Sequence, residues 1–225
     1  MKAKSRRKIE MGERVLEFCK EHPDPSPGYE AMVARLNEGL SRADLLTDQQ
    51  RNGILEVRVA SQRKEDLRRA LRTGHLAHLT RVARVAEKEV PGLSQRLKVS
   101  LTGGTYLSFR AAARGMVAEA ASRQDVLVKH GLSSTVLDAL SQALDQFDGA
   151  VKQGTDGRRA HVGASADLDS VASEIVQIVR VMDGLNKVRF ADDAELLPAW
   201  ISASSVVATP IRTPEEPGEE VKPAA

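Results

Sequence analysis

Two apolar seams constrain this chain more than any other feature. Leu137, Leu140, Leu144, Phe147 and Val151 recur at three- and four-residue steps, and Leu168, Val171, Ile175, Ile178, Met182 and Leu185 repeat the pattern further on. Such spacing draws one apolar stripe down a helix and leaves the remaining faces polar. Each stripe needs a partner helix to cover it. The chain is therefore expected to be all-α, an elongated antiparallel bundle of four or more long helices with these two seams as its structural core.

Composition points the same way. Aromatic residues make up only 3% of the chain, and the alternation of β-branched and polar residues that marks strands is nearly absent, so a sheet is not expected to carry the fold. At 225 residues and 41% hydrophobic content the chain can bury one sizeable core. We expect a charged N-terminal helix and Pro-rich linker over 1–25, one bundle domain over 26–205, and a disordered tail over 206–225. That tail holds Pro210, Pro214, Pro217, Pro223 and four glutamates, with little to bury.

Local signals divide the bundle. Pro23, Pro25 and Pro27 interrupt any helix, and Ser26–Pro27 reads as a helix start with proline at its first position. Thr47 and Gln50 match a capping box, which breaks a helix over about 28–46 from a longer one over about 48–90. Pro91–Gly92 stops that second helix, and His130–Gly131 ends another over about 105–130. Gly154 to Gly157 proposes a turn between the two seams, and a last helix is expected over about 192–202, anchored by Trp200.

The function classes narrow by chemistry. No apolar run approaches the ~20 residues that cross a bilayer, and Lys2 to Lys8 is followed by Glu10, Glu13 and Glu17 rather than by a leader's apolar region, so no signal peptide is expected. A single cysteine, Cys19, excludes an internal disulfide framework and suits a reducing compartment. With the bacterial style of its composition, this gives a cytoplasmic expectation. Cys19 has no identifiable base, the serines fall in caps and connections, and Asp167/Asp169 and Asp192/Asp193 are placed at helix starts, where the dipole favours negative charge. No enzyme and no cofactor are expected.

His75 and His78 stand three apart on a helix and could share a metal ion, but no Glu-x-x-His occurs to complete a di-metal bundle site, so this is the remote alternative. His22, His130 and His161 are placed near helix ends, where imidazoles meet free carbonyls. Charge is the stronger lead. Residues 1–112 hold 22 Lys and Arg against 14 Asp and Glu, whereas 113–225 hold 11 against 17. The stretch 51–98 alone has 12 against 5, and Arg58, Arg68, Arg69 and Arg72 could contact a nucleic-acid backbone. No aromatics are interleaved for base stacking. The leading expectation is a non-enzymatic protein-interaction or structural module, binding a protein partner or itself. Nucleic-acid binding through 51–98 is the alternative, and neither a membrane nor a small-molecule ligand is expected.

Overall fold

Helices account for all the regular structure of the described residues, 1–98 and 104–206, in a computed structural model of the chain. They are α1 (Ala3–Glu21), α2 (Pro27–Leu71), a π-helical turn (Arg72–Leu76), α3 (Ala77–Ala86), α4 (Leu93–Arg96), α5 (Tyr106–Ala121), α6 (Gln124–Lys129), α7 (Val136–Arg189) and α8 (Leu196–Ser204). The all-α expectation holds. The tail expected to be disordered lies, apart from Val206, outside the described residues. The described residues form two compact units, one of residues 1–48 with 164–206 and one drawn from residues 49–163, and α2 and α7 each contribute to both.

In the first unit, α1 is a core element and far more than a charged appendage. Its Ile9, Met11, Val15, Leu16, Phe18 and Cys19 are buried with Leu36, Leu40 and Ala43 of α2 and Leu168, Val171, Ile175 and Ile178 of α7. Two glycines make room for Ile175: a Cβ on Gly12 would stand 2.7 Å from its Cγ2, and one on Gly39 would stand 3.3 Å from its Cγ1. The α1–α2 corner is the one read from the prolines. Asp24 Oδ1 accepts from the Ser26 N–H at 2.8 Å, and the Ser26 carbonyl then accepts from Tyr29 and Glu30 as α2 begins at Pro27. Asp193 closes the unit by accepting from the Glu195 and Leu196 N–H groups at the start of α8. Trp200 anchors α8, fully buried, with its ring N–H donating to Asp183 at 3.0 Å.

In the second unit, the core joins Leu71, Leu76, Leu79 and Val82 to Phe109, Ala113 and Met116 of α5 and to Leu137, Leu140, Leu144 and Phe147 of α7. Gly131, at φ 101°, ends a helix where expected, but the single helix expected over about 105–130 is split at Ser122–Arg123 into α5 and α6. The Leu132 N–H reaches the Leu127 carbonyl and the Gly131 N–H the Val128 carbonyl, which is the Schellman pattern.

Three other expected boundaries are corrected. Thr47 does not cap a helix: its hydroxyl donates to the Ala43 carbonyl at 2.8 Å within α2, which runs on through the site of the expected break. The long helix expected over 48–90 instead passes through the π-turn at Arg72–Leu76 and ends at Ala86. There Glu87 turns its carboxylate onto the N–H groups of Gly92 and Ser94 and starts α4. The turn expected at Gly154–Gly157 is absent, and α7 is unbroken. Gly53 and Gly157 are instead where α2 and α7 cross. A Cβ on Gly53 would meet the His161 nitrogen at 2.8 Å and the Gly157 carbonyl oxygen at 2.9 Å, and one on Gly157 would meet the Glu56 Cβ at 2.9 Å. Glycine serves here for backbone approach rather than for turning.

Candidate functional site

Most of the seam is buried as expected: Leu137, Leu140, Leu144 and Phe147 in the second unit, and Leu168, Val171, Ile175, Ile178 and Met182 in the first. Val151 packs at the edge of its core, half-buried. Leu185 departs from it and is 48% exposed. The reason is geometric. A three-four repeat drifts by about 20° per heptad on a straight helix of 3.6 residues per turn, so the run that begins at Leu168 has rotated off the core by Leu185. Asn186, five whole turns after Leu168, takes the inward place and is fully buried.

Leu185 then joins a different stripe. Val181, Leu185 and Val188 stand 53%, 48% and 81% exposed at four- and three-residue steps along α7. Gly184 lies between them, with nothing within 4 Å of where its Cβ would be. These residues project on one side of the helix. The signal was present in the sequence as a second i, i+4, i+7 set beside the seam, although periodicity alone does not say which set faces inward.

Beneath this stripe the core of the first unit holds a polar chain. The Asn186 amide Nδ2 donates to the Tyr29 hydroxyl at 3.3 Å, and that hydroxyl donates to Cys19 Sγ at 3.2 Å. Asn186 Oδ1 is buried without a hydrogen-bond partner among the described residues. Burial pushes the Cys19 thiol up and, with the bond to Cys19, pushes the Tyr29 hydroxyl up to about 12. A thiol held protonated in this way is a poor nucleophile. Arg189 lies over Phe190 at 4.8 Å and over Tyr29 at 5.7 Å.

The basic stretch divides in two. Arg68 is drawn inward: its guanidinium lies 5.3 Å from the Phe109 ring and 5.7 Å from that of Tyr106, and its Nη2 donates to the Gly104 carbonyl. It is withdrawn from the set proposed to contact a nucleic acid. Arg58, Arg69 and Arg72 are exposed, and Arg69 lies 3.8 Å from Asp66. Among the described residues Arg51, Arg58, Arg63, Arg72 and Arg84 have no ion-pair partner. Charge separates by unit. Residues 49–163 hold 19 Lys and Arg against 11 Asp and Glu, a net +8, whereas residues 1–48 with 164–206 hold 12 against 16, a net −4.

The remaining candidates fall elsewhere. His75 and His78 are half-buried, and among the described residues no three His, Cys, Asp or Glu side chains are grouped to hold a metal. His130 bonds the Glu89 carboxylate at 2.9 Å, His22 packs its ring on Phe18, and His161 reaches the Gln50 carbonyl from the middle of α7 rather than from a helix end. Asp169 is also within α7, where it accepts from Lys2 and Ser5. An open groove of about 630 Å³ flanks the glycine crossing, lined by Asn52, Glu56, Lys152, Gln153 and Asp156. Gln153 donates to Glu56 across it. Among the described residues no helix is long and apolar enough to cross a membrane. Compared with protein-family models, with curated proteins and with solved structures, the chain matches none.

Proposed function

We propose that this protein is a non-enzymatic helical module of the bacterial cytoplasm that works by binding other proteins, and that the outer stripe of α7 is one face it presents. The observation that carries the reading is the uncovered run Val181, Leu185, Val188. Scattered apolar residues on a surface are ordinary, but three at helical spacing on one side of a long helix form the apolar half of a helix–helix contact. The buried, protonated Cys19 supports the non-enzymatic part, because the chain's one thiol serves packing.

The test is co-purification from native lysate, after nuclease treatment, of the unaltered protein and of a variant carrying Leu185→Glu and Val188→Glu. Both positions are exposed, so the variant should keep its helicity and melting temperature. We expect protein partners that survive nuclease and are lost by the variant. An identical partner set for both proteins, or none for either, contradicts the reading.

A further inference from the structure

A second uncovered face lies on α2 in the basic unit, and its composition specifies its partner. Arg51, Ile54, Leu55, Arg58, Val59 and Gln62 stand at i, i+3, i+4, i+7, i+8 and i+11, so they share a side of the helix. The apolar members are open: Ile54 is 38% exposed, Leu55 45% and Val59 57%. Arg51 and Arg58 are exposed and have no ion-pair partner among the described residues. Of the carboxylates near this face, Glu56 is engaged by Gln153 and Glu65 by the Tyr106 hydroxyl, whereas Asp66 accepts from Gln62 at its far end and Asp48 stands one turn before Arg51.

We propose that residues 51–62 dock a short acidic amphipathic helix of a protein partner, its apolar side on Ile54, Leu55 and Val59 and its carboxylates on Arg51 and Arg58. The proposal shares with the preceding one the premise that the chain binds proteins, but uses a different helix and a different unit. Two observations fix the chemistry. The unit's net +8 attracts an anionic partner, and the aliphatic side chains between the arginines require one with apolar groups to bury. A nucleic-acid backbone satisfies the first requirement and leaves the second unmet. The face spans about three turns, roughly 17 Å at 1.5 Å per residue, so the matching helix is short. Arginine suits the role, because its planar fork binds a carboxylate through two parallel hydrogen bonds.

The probe is a synthetic helical peptide with Leu at its a and d positions and Glu at e and g, labelled for fluorescence anisotropy and titrated with the full chain. Three controls accompany it: the same peptide with Lys in place of Glu, a labelled DNA duplex, and circular dichroism of every variant. We expect the acidic peptide to bind and the Lys peptide not to. Binding should fall at least ten-fold both in Arg51→Glu/Arg58→Glu and in Leu55→Gln/Val59→Gln, and should persist in Arg51→Lys/Arg58→Lys. The Leu185→Glu/Val188→Glu variant should bind the peptide normally, so failure here is distinguishable from failure of the α7 reading. Absence of peptide binding overturns the proposal. So does binding of the duplex that the arginine change abolishes while Leu55→Gln/Val59→Gln leaves it intact, because that result assigns the face to phosphates.

Discussion

Asn186 shows how one residue redirects a seam. It occupies the inward position that a strict heptad assigns to Leu185, and its amide leads through Tyr29 to Cys19 in an otherwise apolar core. A buried polar group is tolerated when it is hydrogen-bonded and destabilises when its partner is removed. Tyr29→Phe should therefore lower stability by about 1 kcal/mol, since it orphans the Asn186 donor, as measured by urea unfolding. An unchanged midpoint would mean that the chain of bonds is not formed. Gly157 is the second decisive residue. Gly157→Ala places a methyl group against Glu56 and the α2 backbone, and should cost about 1–3 kcal/mol as overpacking does. The control is Gly163→Ala, where a Cβ meets nothing within 4 Å. Equal melting temperatures for the two variants would contradict the close crossing.

Among the elements, α7 was the most legible in the sequence and α2 the least. The seam of α7 survives along two stretches because large aliphatic side chains at helical spacing have one stable use, burial against other helices. Its continuity was not legible, because a glycine that permits close approach and one that permits a turn are the same residue. In α2, Thr47 and Gln50 carried a capping signature, yet a threonine inside a helix satisfies its hydroxyl on the preceding turn, as Thr47 does on Ala43. The arginines of α2 and the stripe beyond Leu185 show the other limit: periodicity marks a face without saying whether it is covered. The first unit's packing predicts that Ile175→Asp with Ile178→Asp abolishes its cooperative unfolding. Ile175 is enclosed by Gly12 and Gly39, and an unpaired carboxylate there has no compensation. Retained helicity and melting temperature would refute that core.

Acid should act on three carboxylates, two at helix starts and one, Asp169, in mid-α7 against the first turn of α1. Asp193 is held below the usual carboxylate range by the backbone N–H groups of Leu196 and Glu195, Glu87 by those of Ser94 and Gly92, and Asp169 by Lys2 and Ser5. A carboxylate with a lowered folded pKa contributes stability above its unfolded value, and that contribution is lost as pH falls through the folded value. Melting temperature should therefore be level near neutrality and decline below about pH 4, the unfolded carboxylate range. Asp193→Asn should lessen the decline. A melting temperature that rose on acidification would reverse the assigned sign.

At the scale of the molecule, charge and apolar exposure are distributed by unit. The first unit is acidic and carries the open stripe of α7. The second is basic and carries the mixed arginine–aliphatic face of α2. The sequence showed the charge imbalance as a difference between its two halves, but the helices interleave those halves: Lys2 meets Asp169, Arg42 meets Glu174, and Arg110 meets Asp148. The true division, 49–163 against the rest, depends on which segments pack together, which linear order does not disclose. The central claim is that the exposed stripe of α7 is a contact surface for another protein. The most direct measurement is photo-crosslinking in cells, with a photoreactive residue placed at Leu185 and, as control, at the exposed Glu38. The account predicts discrete protein adducts at Leu185 that are absent at Glu38. The same faint, unspecific pattern at both positions would contradict it.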